Sequence, residues 1–395
     1  MSRLADLIEE LCPDGVEYKP LDEVAELKRG SGMPKKMFTD AGIPAIHYGH
    51  IYTKYGIYTK VAAACVDKVN SQKLTLVYPG DLVVANTSEN LEDVGKAVTW
   101  LGESVAVTGG HATVVRSSVM NTVFLSYYFR TEEFSRKKQR YSRGTKVIEL
   151  SAVNLAKILI PVPPLEVQRE IVKILDQFTT LEAELEAELE ARRAQYEYYR
   201  NQLLSYDALA SRGPVEWVKL GDVVTVLDAR RVPLKKGERV TGKYPYYGAS
   251  GIVDYVDGYL FDEDLLLVSE DGANLRARTK PIAFSSQGRV WVNNHAHVLR
   301  VDSPEYRKFI EEYLNSIDLT PYIAGSTQPK LNQDNLRSIR IPKPSDVELS
   351  RSVRLLDKFN IFVNDISSGL PAEIAARRAQ YEYYRDRLLS FPEKK

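Results

Sequence analysis

Cysteine is scarce in this 395-residue chain: Cys12 and Cys65 are the only two. They cannot form a disulfide framework or a four-cysteine zinc site. Long apolar runs are missing as well, none approaching the roughly 20 residues of a membrane helix, which excludes a chain that spans a bilayer by helices. The opening stretch Met1 to Leu11 has neither the basic nor the apolar region of an export signal, so the cytoplasm is the expected compartment. Net charge is absent too, because 53 basic and 53 acidic residues cancel. Motifs for catalysis are thin. Gly237 to Lys243 has P-loop spacing, but Tyr244 replaces the Ser or Thr that would hold magnesium. Asp14, Glu26 and Lys28 imitate a nuclease motif, yet the second half of the chain has no equivalent. His47 and His50, or His295 and His297, lack the further acid or cysteine that a metal centre wants. No catalytic residue, cofactor or metal is therefore expected in this chain.

What is present is a soluble globular composition, 44% hydrophobic and 27% charged, at a length that predicts two or three domains. The neutral total hides local imbalance. Residues 165–206 hold nine acids against five bases, while 11–164 hold nineteen bases against fifteen acids. Between Arg130 and Lys146 lie seven bases and two acids, the density that phosphate neutralisation requires.

The chain also contains itself twice. ARRAQYEYYR occupies 191–200 and again 376–385. Asn154-Leu155, Ile158, Ile160-Pro161 and Pro163 recur as Asn335-Leu336, Ile339, Ile341-Pro342 and Pro344. His111-Ala112 and Arg116 recur as His295-Ala296 and Arg300. A period near half the chain marks a duplicated domain pair rather than a short-repeat solenoid.

Each half starts globular and ends helical. Ile171, Ile174, Leu175, Phe178, Leu181, Leu185 and Leu189 follow the steps of three and four that predict an amphipathic helix, introduced by Pro161, Pro163 and Pro164. Its copy runs from about Asp346 to Phe391 through Leu355, Phe359, Phe362 and Ile366, with a break expected at Ser367-Ser368-Gly369-Leu370-Pro371. The predicted segments are 1–164 (globular), 165–206 (central helix), 207–344 (globular) and 345–395 (C-terminal helix). Both globular segments read as α+β, with short β-rich runs such as Asp81 to Ala85 and Asp264 to Val268. The helices are expected to pack antiparallel across a pseudo-twofold axis, each covering the other's stripe.

Packing alone tolerates swaps of similar volume. The repeated decamer nevertheless keeps Arg192, Arg193, Gln195, Glu197 and Arg200 while the globular segments have diverged. This contrast implies two copies of one partner on the helices and different targets for the domains.

The order domain, helix, domain, helix, with ARRAQYEYYR closing each helix, resembles the specificity subunit of Type I restriction-modification systems. The loop Gly144-Thr145-Lys146 to Leu150 and its twin Gly325 to Leu331, each followed by Asn-Leu and Ile-Pro-x-Pro, also resembles that family. The resemblance implies two target-recognition domains, each reading half of an interrupted double-stranded DNA site, on an antiparallel coiled-coil spacer. It implies two modification subunits docked on the helices, carrying S-adenosylmethionine and methylating adenine, with restriction subunits able to join. The subunit itself would be non-catalytic. A protein-binding adaptor on a coiled-coil rod is the alternative.

On that footing Lys28, Arg29, Lys35 and Lys36 in the first domain, and Arg230, Arg231, Lys235 and Lys236 at the equivalent place in the second, are candidate backbone contacts. Arg136, Lys137 and Lys146 join them. Asn86, Arg143, Arg276, Arg278 and Gln328 are candidate base readers in the divergent regions, and Lys330 is a further candidate DNA contact. Arg192, Arg193, Tyr196, Tyr199 and Arg200, with Arg377, Arg378, Tyr381, Tyr384 and Arg385, are the expected docking residues.

Overall fold

The structure, a computed structural model, describes residues 3–364 and 369–394. Packing divides the chain into two units, Met1–Glu184 with Ile374–Lys395, and Leu185–Glu373. The division runs through the first long helix, Leu165–Leu204. Each unit therefore holds one globular domain, the root of that domain's own helix, and the decamer belonging to the other repeat.

In the first unit a five-stranded sheet runs in the order Glu26–Arg29, Ala112–Arg116, Leu82–Ala85, Ala97–Trp100, Tyr58–Thr59. The apolar run LVVA is continuous because both faces of its strand are covered. Val83 and Ala85 face a cluster shared with Ile46, Val77 and Ala106 near the second sheet. Leu82 and Val84 face a larger cluster with Phe124, Tyr127, Ile160 and the helix residues Val167, Ile171 and Leu175. That fourfold spacing puts Val167, Ile171 and Leu175, all fully buried, on one stripe.

The second unit repeats the plan. Thr225–Val226, Ala296–Arg300, Leu265–Ser269 and Ala283–Ser286 form a sheet with the same antiparallel neighbours. Leu266 and Val268 pack with helix residues Leu349, Val353 and Leu356, and Leu265 and Leu267 pack toward the other sheet. In each domain the second sheet contains one parallel pair, Ile43–Ile46 with Ala106–Thr108 and Thr241–Gly248 with Arg289–Val292. The two domains differ beside those pairs. The first domain inserts the short helix Tyr48–Thr53, and the second extends a hairpin from Thr241–Gly248 to Gly251–Val256.

The second helical stretch is two helices, Asp346–Asn364 and Leu370–Leu388. Residues 365–368, which include Ile366 and the Ser367-Ser368 start of the expected break, lie outside the described residues. Helix pairing is antiparallel inside each unit. Phe178 stacks on Tyr384 and Glu182 pairs with Arg378 in the first, and Tyr199 stacks on Phe359 in the second.

The first unit is closed without a covalent link. Val16 N–H donates to the Pro392 carbonyl and Lys394 N–H to the Val16 carbonyl, both at 2.9 Å. Gly15 (φ +94°) permits the approach, since a Cβ there would sit 2.4 Å from the Pro392 oxygen. In the second unit the same position is continuous chain, running from Leu204 through Tyr206–Ala210 into the strand Val215–Lys219.

Candidate nucleic-acid interface and docking surface

Two hairpins occupy matched ends of the two domains. Arg143 and Glu149 exchange backbone hydrogen bonds at 2.9 and 2.8 Å, and Ala324 and Lys330 exchange them at 2.8 Å both ways. Each hairpin turns on a glycine in the left-handed region, Gly144 (φ +110°) and Gly325 (φ +80°). A Cβ on either would meet the carbonyl oxygen three residues on, Val147 at 2.0 Å and Gln328 at 2.4 Å, so both need glycine. Each hairpin is then bolted to the same strand end. Leu150 N–H donates to the Asn86 carbonyl at 2.8 Å, and Leu331 N–H to the Glu270 carbonyl at 2.7 Å. Asn86 and Glu270 N–H in turn donate to the carbonyls of His111 and His295 at 2.8 and 2.9 Å.

Around this shared frame the charges differ. In the first domain Arg29 reaches Glu149 at 3.2 Å and the Gly110 carbonyl at 3.4 Å. In the second, Lys330 reaches Glu270 at 3.1 Å, and Glu270 also takes Arg231 at 2.5 Å. Arg231 further meets Asp228 at 3.4 Å, which holds His297 Nδ1 at 2.6 Å. Burial alone would raise the carboxyls of Asp228 and Glu270. The His297 bond and the Val298 N–H on Asp228, and Arg231 and Lys330 on Glu270, outweigh it and hold both below their ordinary values.

The candidate DNA residues divide into those that face out and those put to internal use. Lys28, Lys35, Lys36, Lys235 and Lys236 are exposed, the pairs 35–36 and 235–236 beside matched 3-10 turns. On the helix Glu132–Tyr141 the exposed Arg136 and Arg140 share a face, and just beyond its end the Arg143 guanidinium donates to the Arg140 and Ser142 carbonyls. Lys146 stands at the first hairpin's tip and Gln328 at the second's. Arg276 donates to the Gly325 carbonyl at 2.8 Å and so supports that tip. Arg230 is half-committed, to Glu263 at 3.2 Å and over the Phe261 ring.

Four expectations are corrected. Asn86 is fully buried, its side-chain oxygen accepting from Thr113 at 2.9 Å, so it cannot face a base. Lys137 is spent on Glu133, Tyr128 and the Leu159 carbonyl. Arg231 lies in the buried ion network, and Arg278 donates to the Leu314, Asn315 and Ile317 carbonyls at a helix end. The density between Arg130 and Lys146 is likewise only partly outward. Lys138 is buried, donating to the Glu92 and Val94 carbonyls, and burial pushes its pKa down to about 8.

Asp228, Glu270 and His297 are the one acid–histidine group compact enough for a metal ion among the described residues. Its donors are taken. His297 Nε2 faces the Leu331 carbonyl at 2.7 Å and Nδ1 faces Asp228, so both ring nitrogens are already occupied by protein oxygens. His47 and His50 belong to a ring cluster with Phe38, Tyr48 and Tyr55, where burial, then the neighbouring His50, lowers His47 to about 4.

The two decamers adopt the same internal pose in different units. Arg200 lies 5.8 Å over the Tyr196 ring and Arg385 5.7 Å over Tyr381. Arg192 donates to Gln195 at 2.8 Å and Arg377 to Gln380 at 3.1 Å. Tyr196 is buried, which corrects its placement on a docking surface, and burial pushes its half-buried twin Tyr381 up to about 12. Tyr199 and Tyr384 stack on Phe359 and Phe178. The outward residues are Arg193, Glu197 and Tyr198, matched by Arg378, Glu382 and Tyr383, with Tyr198 at 59% and Tyr383 at 58% exposure. The last two tyrosines were named in neither set of candidates, and their signal was plain identity at an exposed position.

The family model of the type I restriction modification DNA specificity domain matches residues 13–191 and again 213–376. The chain belongs to that family. A putative type I restriction enzyme specificity subunit of Haemophilus influenzae is 34% identical over 199 residues, covering 49% of this chain and 51% of its own length. A type I restriction enzyme specificity subunit of Escherichia coli is 34% identical over 274 residues, covering 62% of this chain and 65% of that protein. The chain thus matches between half and two thirds of the length of these relatives. Among solved structures, a chain described in the assembly and conformational transition of the type I R-M system shares the fold at a TM-score of 0.61. It is 18% identical, over 95% of this chain and 98% of that one. Among the described residues no helix is long and apolar enough to cross a membrane.

Proposed function

We propose that this chain is the DNA-specificity subunit of a type I restriction-modification complex, each domain reading one half of a bipartite double-stranded site. The observation that carries this reading is a contrast inside each unit. The exposed side chains of the decamers are identical and the Arg–Tyr and Arg–Gln contacts beneath them recur, whereas the hairpins keep one backbone and change their side chains. A constant surface suits two copies of one partner, and a constant scaffold with variable chemistry suits two different half-sites. The partners on this reading are two adenine-methylating subunits that carry S-adenosylmethionine, with restriction subunits able to join in the cytoplasm. This chain supplies position, not catalysis. The first long helix is a single 40-residue element, about 60 Å at 1.5 Å per residue, and its length would set the unread gap.

The test is to map methylated adenines in cells with and without the gene. A bipartite motif that vanishes with the gene supports the reading, and an unchanged methylation pattern refutes it. Deleting one turn, Glu182 to Leu185, should shift the gap by about one to two base pairs while both half-sites stay the same. Arg193→Glu with Tyr198→Ala should release one methylating subunit on gel filtration.

A further inference from the structure

We propose that His111 and His295 are matched phosphate-binding residues, one per domain, gripping the DNA backbone through ring atom Nε2 beside the hairpins. This rests on the DNA reading above and adds a site to it. The two domains have drifted to scattered identities, yet an exposed histidine stands at the same point of both. Its place is fixed by the frame: the backbone carbonyl of each is bonded to the strand-end residue that also receives the hairpin. The ring is fixed as well. His111 Nδ1 lies 3.1 Å from Thr87 Oγ1, and His295 Nδ1 lies 2.9 and 3.0 Å from the two carboxylate oxygens of Asp271. Thr87 and Asp271 are themselves the residues paired across to Glu149 and Lys330. Each ring is thus braced against the strand that carries the hairpin, and among the described residues neither Nε2 has a hydrogen-bond partner.

An exposed polar group needs no fixed orientation to satisfy itself with water. Holding Nδ1 in both domains, once by a hydroxyl and once by a carboxylate, presents Nε2 in a set direction. With Nδ1–H given to Asp271, the His295 Nε2 donates to a phosphate oxygen as the imidazolium that carboxylate and phosphate together favour. The two half-sites differ in bases and share only the sugar-phosphate backbone, so a residue kept identical in both domains fits the shared part. Each hairpin also keeps an exposed hydroxyl after its glycine, Thr145 and Ser326, the chemistry of a neutral phosphate donor. Base reading then falls to the parts that differ, the other side chains of the hairpin tips together with the segment around Tyr48–Thr53 in one domain and the 241–256 hairpin in the other.

Two isosteres separate this from a merely structural role. Asparagine places an amide near Nδ1 and lacks Nε2, and glutamine reaches the position of Nε2 and gives up Nδ1. The complex with its methylating subunits is titrated on duplexes carrying matched and mismatched half-sites, for His111→Asn, His111→Gln, His295→Asn and His295→Gln. The Asn variants should weaken binding about fivefold or more on all duplexes equally, and the Gln variants should recover most of it. Equal binding by the Asn variants and the wild type overturns the proposal, as does Asn outperforming Gln, which would assign the ring a structural job through Nδ1. A changed preference at one base pair would make the histidine a base reader and equally overturn it. A wild-type complex that shows no preference between matched and mismatched duplexes would instead defeat the DNA reading.

Discussion

The two hairpins share a backbone and are anchored by opposite charges. Glu149 of the first is met by Arg29, and Lys330 of the second by Glu270. The first pair is open to solvent, at 55% and 43% exposure, whereas Glu270 is nearly enclosed and belongs to a network with Arg231, Asp228 and His297. Backbone geometry is enforced by glycine and ladder hydrogen bonds, which do not depend on side chains. The anchoring charge only has to be complementary to its own partner, and either polarity will do. A duplicated domain can therefore rewrite its contact chemistry without moving its scaffold.

The contrast can be broken most severely at Arg231. Replacing it with leucine leaves the buried Glu270 without its main cation and removes a second one from Asp228, at a cost of about 3–5 kcal/mol. Hydrogen exchange should show the second domain's sheet loosened and the first domain's untouched. Gly144→Val comes next. The added side chain needs a left-handed backbone and the space held by the Val147 carbonyl, so about 1–3 kcal/mol is lost locally. Methylation mapping should then show the half-site of the first domain blurred and the other intact.

Acid should separate the domains less sharply. A carboxyl held below its ordinary value stabilises the fold above that value, and the contribution fades as pH falls through the lowered one. Asp228 and Glu270 are both lowered and nearly buried, while in the first domain Asp67 and Glu17 are exposed. Below about pH 4 the fluorescence of Trp217 and Trp291 should change before that of Trp100, and simultaneous change would contradict the comparison. The smallest effect is expected at the open pair. Glu149→Lys should cost no more than about 1 kcal/mol in thermal unfolding, and adding Arg29→Glu should restore it.

Much of this architecture was legible in the chain itself. The helix 165–206 was readable because its stripe repeats at three and four residues, and it is observed as Leu165–Leu204. The runs DLVVA and DLLLV gave strands because a buried strand is continuously apolar. Which charges face outward was not legible. Arg231 finds Glu270 across 39 residues and Arg278 finds the Ile317 carbonyl across 39, distances at which no local pattern speaks. Lys137 and Lys138 sit in the basic stretch yet turn inward, because their side of the helix also carries Phe134. Asn86 had a local warning: it extends an apolar strand and shares its burial. The recurrence of His111 at His295 was visible, and only the matched Nδ1 bonds gave it a meaning.

Closure of the first unit by residues near Pro392 carries a consequence for synthesis. The ribosome makes Leu185–Glu373 as one stretch, so the second unit can condense as it emerges, while the first must wait for Ile374 onward. Until then its Val16 edge and the Phe178 face of its helix stay uncovered, since Pro392, Lys394 and Tyr384 are their partners. A chain that stalls late would carry one finished unit and one unfinished one, and only the finished unit would offer a decamer in its proper setting. Order of manufacture thus becomes a check on integrity: the second decamer finds its setting against the first domain's helix only once Ile374 onward has been made.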